Sequence, residues 1–121
     1  MEFDANVPIW LQVVNQLKTD IITGRQPPGS KLPGGRELAA RFTINPNTAA
    51  RVYQELEKEG LCETRRGLGT FVTEDAAKVG ILRDEMARDA VRRCIKALGS
   101  LGISREEATR IFNEEEALSH A

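Results

Sequence analysis

The side chains best suited to chemistry in this chain of 121 residues are amides and cations, and they cluster in two short stretches. The first stretch reads NPNT and is followed by Arg51, and the second is the tripeptide RRG at residues 65–67. Asn can form paired hydrogen bonds with adenine, Arg can form them with guanine, and a Thr hydroxyl can bond to a base or a phosphate. These residue types indicate recognition of nucleic-acid bases and phosphates.

Three helices are predicted ahead of the second stretch, because apolar residues recur there at spacings of three and four. They should cover about residues 9–23, 36–42 and 46–59. A connector dense in Pro and Gly separates the first two, and it can hold neither a helix nor a central strand. Only residues 43–45 separate the last two, and two short helices on so tight a turn form a helix-turn-helix.

The amino end of the third helix carries the clearest local signals, since Asn45 suits the N-cap and a proline follows it. In a helix-turn-helix, this end of the second helix contacts base edges in the major groove. We therefore predict that Asn47 and Arg51 read bases and that Thr48 reads a base or binds a phosphate. Asn45 is a candidate for the same surface, with capping as its alternative role. An ion pair with Glu55 is the alternative for Arg51.

A β-hairpin is predicted over about residues 61–72, because the apolar period there changes from 3.6 to 2 around a Gly-Leu-Gly turn. A hairpin directly behind a helix-turn-helix is the wing of a winged helix. Arg65 and Arg66 point to opposite sides of the strand, so one of them is predicted to contact DNA. Gly67, at the turn, lets the backbone approach a duplex closely.

The formal net charge of −1 hides an uneven distribution of charges. Between residues 31 and 54 the Lys and Arg side chains outnumber the only carboxylate, Glu37, whereas acidic residues gather at 55–59 and 114–116. A protein that reads DNA needs positive charge on one face rather than in total. Arg36 is predicted to bind phosphate through its charge and the start of the second helix, with an ion pair as the alternative.

Residues 75–121 are predicted to form a second segment of two helices, after a winged-helix domain over residues 1–74. A Gly-Ser-Leu-Gly sequence separates the two helices, and a Ser-x-x-Glu capping box at Ser104 starts the second. The first carries an apolar stripe for which its own chain offers little cover, so the stripe is predicted to pair two copies. Packing on the chain's own winged helix is the alternative. The stripe consists of Leu82, Met86, Ala90, Cys94 and Leu98.

The sequence argues against a metal-binding protein, an enzyme and a membrane protein. Cys62 and Cys94 lack metal-ligand spacing and the lone histidine is His120, so no metal site is expected, and both cysteines are predicted to be packing residues. No nucleophile–base set or phosphate-binding Gly loop is present, so we expect neither a cofactor nor enzymatic activity. The sequence has no apolar run of about 20 residues and no signal peptide, which predicts a cytoplasmic protein without a membrane partner.

Taken together, these pieces resemble the GntR family of bacterial transcription regulators, and in particular its small YtrA-like branch. The resemblance runs in register over about residues 8–73 through PIWLQ, GSKLP, RELA, NPNT, YQELE and GLGTFV. It implies a mainly α fold with a small β-hairpin: a winged helix-turn-helix followed by two C-terminal dimerisation helices. It also implies a repressor that binds double-stranded DNA as a homodimer on a pseudo-palindromic operator, often that of a transporter operon. In the wing it favours Arg66 and Gly67 as the contacts.

The sequence departs from the family pattern at one point. Gly34 and Gly35 stand where the family usually has a small polar residue, which removes one side chain that could cap the second helix or touch phosphate.

A winged helix can also bind protein without reading DNA. Two short helices cannot enclose a ligand pocket of the usual ~300–1,000 Å³. A small-molecule effector would therefore lodge between subunits, or between the C-terminal segment and the winged helix.

Overall fold

The computed structural model describes residues 1–120 and shows a mainly α protein with one small hairpin. The predicted fold class, a winged helix-turn-helix followed by a helical C-terminal segment, is confirmed. The helix boundaries agree with the predicted ones to within one or two residues. In chain order the elements are α1 (Ile9–Ile22), α2 (Gly35–Phe42), α3 (Pro46–Lys58), β1 (Cys62–Arg65), β2 (Gly69–Val72), α4 (Ala76–Ser100) and α5 (Arg105–Ser119).

The core of the winged helix forms where α1 and α2 pack on α3. Each helix contributes one apolar face, as the spacing of three and four predicts. Each fully buried Leu or Val contributes roughly 1.5–3 kcal/mol relative to an exposed one, so these contacts fix the orientation of α3. The buried residues of these three helices are Val13, Val14, Leu17, Ile21, Leu38, Ala39, Ala49, Val52 and Leu56.

The turn between α2 and α3 reverses the chain within three residues. Thr43 adopts a left-handed conformation with φ of 53°, and the Ile44 N–H donates to the Ala39 carbonyl at 2.9 Å. These bonds satisfy carbonyl groups at the end of α2, as a left-handed C-terminal cap does. The next residue, Asn45, already caps α3.

The wing is an antiparallel hairpin whose register pairs Cys62 with Val72 and Arg65 with Gly69. The connector before α2 adds an unexpected edge to it. The Leu32 N–H donates to the Thr70 carbonyl at 2.8 Å, and the Val72 N–H donates to the Ser30 carbonyl at 2.9 Å. The connector holds no central strand, as predicted, but its backbone bonds join the hairpin directly to the segment that enters α2.

The chain divides into two compact units, Met1–Arg83 and a second that begins at Asp84. Leu82 is only 7 % exposed within its own chain, so the premise that the whole α4 stripe lacks cover is wrong for this residue. Met86 and Leu98 are half-buried, and Ala90 and Cys94 are exposed. Of the two cysteines, Cys62 is a buried packing residue as predicted, whereas Cys94 is not packed by its own chain.

The second unit contains the part of α4 that begins at Asp84 and the whole of α5. The helix continues to Ser100, so its last two residues lie within the predicted Gly-Ser-Leu-Gly break, and Gly102 adopts a φ of 73° in the turn that follows. The Ser104 side chain then caps α5 by accepting the Glu107 N–H at 3.2 Å, as the predicted capping box requires.

No helix within residues 1–120 is long and apolar enough to span a bilayer. Over the same residues, no three or more His, Cys, Asp or Glu side chains lie where they could hold a metal ion together.

Candidate nucleic-acid interface

The α3 helix has one buried and one exposed face, and the predicted base-reading residues lie on the exposed one. Asn47 and Arg51 are one helical turn apart, and both are exposed. Gln54 lies on the same exposed face and was missed by the sequence reasoning. Its residue type was a usable signal, since Gln, like Asn, can bind adenine through two hydrogen bonds. Thr48, beside this face, is half-buried.

The amino end of α3 is held by Asn45, whose side-chain oxygen accepts the Asn47 N–H at 2.8 Å. The capping role of Asn45 is therefore confirmed, and its Oδ1 is engaged within the helix start. Replacing such a cap by Ala typically costs about 1 kcal/mol. Asn45 thus fixes the backbone that presents Asn47 and Thr48.

Arg51 makes a contact that the sequence reasoning did not foresee. Its guanidinium carbon lies 4.2 Å from the centroid of the Trp10 ring, which is a cation–π distance. The alternative ion pair with Glu55 does not form among the described residues. Trp10 belongs to α1, which the sequence predicted only as one of three helices with apolar residues at spacings of three and four. A contact between side chains about forty positions apart leaves no mark in local periodicity.

Arg36 lies exposed in the first turn of α2. The N-cap of this helix is Gly34, which offers no side chain to the free backbone N–H groups. The neighbouring carboxylate of Glu37 instead pairs with Arg41 at 2.8 Å. Within residues 1–120, Arg36 forms none of the ion pairs that were its alternative role.

The two wing arginines differ in their contacts. The Arg65 guanidinium lies 4.5 Å from the Phe71 ring centroid, and its Nε is 3.9 Å from a Glu63 carboxylate oxygen. Arg66 lies in the exposed turn and makes neither kind of contact with the rest of the described chain. Gly67 follows it with φ of 79°, a conformation that favours glycine.

An open groove of about 660 Å³ runs between α2 and the wing. Lys31, Arg41, Gly34 and Gly67 are among its lining residues. Lys31 lies against the wing turn, so close that a Cβ atom at Gly69 would be 2.6 Å from the Lys31 Cε. Lys31 entered the sequence reasoning only as part of a basic region, and the structure places it with the candidate interface.

The half-buried Tyr53 and the buried Cys62 connect α3 to the connector and the wing. The Tyr53 hydroxyl donates to the Pro33 carbonyl, and the Cys62 thiol lies 3.9 Å from the Tyr53 carbonyl. Burial, followed by the nearby Cys62, raises the pKa of Tyr53 above its usual range. Burial, followed by Glu57, raises the pKa of Cys62 to about 12. Both groups therefore stay neutral near pH 7 and serve packing.

Comparison with known proteins identifies the type of scaffold. The model of the family described as "Bacterial regulatory proteins, gntR family" matches residues 10–72, more than half of the chain. An uncharacterized HTH-type transcriptional regulator of Bacillus subtilis (strain 168), YhcF, is 40% identical over 88% of this chain and 88% of its own length. The HTH-type transcriptional repressor YtrA of the same organism is 46% identical over 60% of this chain and 55% of its own length.

Solved structures agree. A GntR family transcriptional regulator from Listeria monocytogenes is 35% identical and superposes with a TM-score of 0.86, over 93% of this chain and 98% of that one. The DNA-binding domain of AraR in complex with operator ORX1 is 30% identical with a TM-score of 0.54, over 55% of this chain and 81% of that one. The chain therefore belongs to the GntR family of bacterial regulatory proteins, and it is a DNA-binding transcription regulator rather than an enzyme.

Proposed function

We propose that the chain is a repressor that binds a pseudo-palindromic operator as a homodimer, with the exposed face of α3 in the major groove. One observation carries this proposal: the capped amino end of α3 presents Asn47 and Arg51 to solvent on a helix whose other face is buried. A major groove about 12 Å wide admits such a helix. The repressor role is supported by the name of the similar YtrA protein.

Direct base reading is assigned to Asn47 and Arg51. An Asn amide matches the donor and acceptor of adenine, and the edge of an Arg guanidinium matches two acceptors of guanine. Each such pair is worth about 1–3 kcal/mol of discrimination against the wrong base. Gln54 lies on the same face, one turn beyond Ala50, and extends this surface toward the middle of the helix.

Phosphate binding is assigned to residues around α3. Arg36 offers a positive charge next to the free N–H groups of α2, and Arg66 with Gly67 forms the exposed tip of the wing. Thr48 is a further candidate for a phosphate contact. Such contacts orient the protein without reading sequence, and they make affinity fall as salt rises. Because Arg65 already contacts Phe71 and Glu63, we assign the wing contact to Arg66 rather than Arg65.

Dimerisation is assigned to the second unit, which leaves large apolar side chains uncovered. Val91 is 56% exposed, Ile95 64% and Phe112 64%. Cys94 and Ala90 of the predicted stripe lie among them along α4 and are exposed as well. A second copy of the chain would cover the same patch on both molecules, as in two-fold dimers. Two copies would also supply the paired half-sites that a pseudo-palindromic operator requires.

An effector site is proposed beside this patch. The residues Ile95, Leu98, Ile103 and Ala108 line an open and largely apolar groove of about 560 Å³. The volume falls in the range of ligand pockets, although the groove is not enclosed by these two helices. A small apolar ligand held there would contact a second copy on the same face. The control of a transporter operon is proposed from the family resemblance alone.

Mutation of the reading face tests the proposal. A DNA duplex selected by the wild-type protein from a random pool serves as the probe, and fluorescence anisotropy measures its dissociation constant. The double variant Asn47→Ala with Arg51→Ala should weaken binding by about 10²-fold or more, since it removes two base contacts of about 1–3 kcal/mol each. Arg25→Ala, which removes a 74% exposed arginine from the same unit, is the matched control.

The result distinguishes DNA reading from a protein-binding winged helix. If the double variant binds the selected duplex as tightly as the Arg25 control, α3 does not read bases and the proposal fails. A salt titration gives a second test, because phosphate binding requires the affinity to decrease as salt increases. Arg66→Ala should reduce the slope of that dependence by about two counterions, one for each subunit of the dimer, whereas Arg65→Ala should leave it nearly unchanged.

A further inference from the structure

We infer that Trp10 is a positioning residue for base recognition: its ring holds the face of the Arg51 guanidinium so that the edge is free to bind guanine. The inference rests on the proposed function, because it needs Arg51 to read a base. It assigns to α1, which the proposed function uses only as scaffold, a part in determining sequence specificity.

The first step is the contact itself. The Arg51 Cζ is 4.2 Å from the Trp10 ring centroid, well inside the ~6 Å over which a cation is attracted to an aromatic face. Trp is the aromatic residue that attracts cations best. Of the two cation–π pairs in the described chain, only this one involves a tryptophan.

Trp10 is anchored in the fold, whereas the N–H donors of Arg51 are not bound by a carboxylate of the described chain. Trp10 is half-buried near the start of α1, and the residues one turn along, Val13 and Val14, are completely buried. Because α1 packs directly on α3, the ring has a fixed position relative to the reading helix. Arg51 is exposed and forms no ion pair within residues 1–120, so its N–H donors are not engaged by a carboxylate.

The ring and a base would contact different parts of the Arg51 guanidinium. The guanidinium is planar, and stacking on a ring uses its face, whereas hydrogen bonds to guanine use the N–H donors in its plane. The two interactions therefore occupy different parts of one group and can exist together. Arg has many rotamers, and holding it in one orientation before DNA arrives removes part of the entropy lost on binding. The ring thus preorganises the arginine.

The wing arginine provides an internal contrast. Arg65 also lies over an aromatic ring, that of Phe71, but a Glu63 oxygen lies 3.9 Å from its Nε. A carboxylate close to the guanidinium edge competes for the donors that a base would need. Arg51 lies over a ring but has no carboxylate paired with it within residues 1–120. Its N–H donors are therefore available to a base.

A double-mutant cycle tests the inference with two duplexes. One is the selected duplex described above, and the other replaces the guanine at which Arg51→Ala loses discrimination. Trp10→Leu should weaken binding to the first duplex by about two- to fivefold, which corresponds to a cation–π contact at an exposed site. It should leave binding to the second duplex, and binding in the Arg51→Ala background, unchanged. Trp10→Phe should restore part of the loss.

The outcomes separate this inference from the proposed function. If Arg51→Ala changes neither affinity nor discrimination, the proposed reading role of Arg51 fails and the inference fails with it. If Arg51→Ala has its effect but Trp10→Leu changes nothing, only the inference is overturned. An equal loss for Trp10→Leu on both duplexes, or in both backgrounds, would assign Trp10 a merely structural role and would also overturn it.

The fluorescence of Trp10 gives a readout that requires no DNA, because Trp10 is the only tryptophan of the chain. Removing Arg51 exposes the covered face of the indole to water, so Arg51→Ala should shift its emission to longer wavelength. Arg25→Ala should cause no shift. Identical spectra for Arg51→Ala and the wild-type protein would contradict the contact on which the inference depends.

Discussion

The two compact units differ in how far each buries its own apolar side chains. Within the described chain, every buried hydrophobic residue belongs to the unit Met1–Arg83, and Val13, Leu38 and Leu56 are completely inaccessible. In the unit that begins at Asp84, Ile95 is 64% exposed and Phe112 64%. Exposed apolar residues are common on proteins, but they usually accompany a buried core, which the described part of this unit lacks. The first unit therefore has a core of its own, and the exposed apolar residues of the second support our proposal that another copy completes it.

Adding charge to the exposed apolar residues of α4 should have the largest effect. Val91→Glu with Ile95→Glu should give a monomer, because the partner surface would then bury two carboxylates. Loss of the paired half-site contacts should weaken binding to the selected duplex by about 10²–10⁴-fold. Sedimentation velocity and anisotropy measure the two effects. Ala97→Glu with Ser100→Glu adds the same charge elsewhere on α4, and if it is equally disruptive, the patch has no special role.

A change in the core of the first unit should act on folding instead. Leu56→Ala removes a completely buried side chain from α3 and should lower the free energy of unfolding by about 2–5 kcal/mol. Urea denaturation followed by circular dichroism gives this value. Leu68→Ala, at a side chain 63% exposed on the wing, should cost less than about 0.5 kcal/mol. Similar losses at the two leucines would mean that the first unit is not the well-packed body described here.

Alkaline pH should affect the two units differently, because Cys62 is buried in the first unit and Cys94 is exposed in the second. Burial raises the pKa of Cys62 from its ordinary 9 to about 12, so the folded protein keeps this proton longer than the unfolded chain does. The contribution to stability is complete below pH 9 and is lost as pH rises toward 12. At pH 10 it should already have decreased by about 1 kcal/mol.

Substitution at each cysteine checks the origin of this effect. Denaturation of Cys62→Ala at pH 8 and pH 10 should show a smaller dependence on pH than the wild-type protein. Cys94→Ala should show the same dependence as the wild-type protein. An unaltered slope for Cys62→Ala would assign the alkaline destabilisation to other groups, with Tyr53 the first to examine because its pKa is also raised by burial.

The elements of the fold could be predicted from the sequence because they depend on local signals. The apolar periods, the N-cap at Asn45 and the cap at Ser104 act within a few residues, and the structure confirms all of them. The edge bonds of Ser30 and Leu32 to β2 could not be predicted, since Pro and Gly on both sides suppress the strand pattern. Backbone pairing on an edge does not require such a pattern.

The candidate site was predicted by residue type, while its contacts came only with the tertiary structure. The strand period could not distinguish the surroundings of Arg65 from those of Arg66, because Arg65 lies over Phe71 from the opposite strand. The environment of Arg51 depends on the packing of α1 on α3, which brings Trp10 to it. Leu82 was misjudged because helical spacing places a residue on a stripe without showing whether its own chain buries it, and Leu82 is only 7% exposed.

The edge bonds between the connector and the wing have a consequence for the DNA that the protein would accept. The Leu32 and Val72 N–H groups join the hairpin to the segment that leads into α2, so the wing tip and Arg36 cannot change their separation freely. If both points bind phosphate, as we propose, their linked spacing favours a duplex whose groove width matches it. Sequences with an unusually narrow or wide groove would then be disfavoured even at base pairs that no side chain touches.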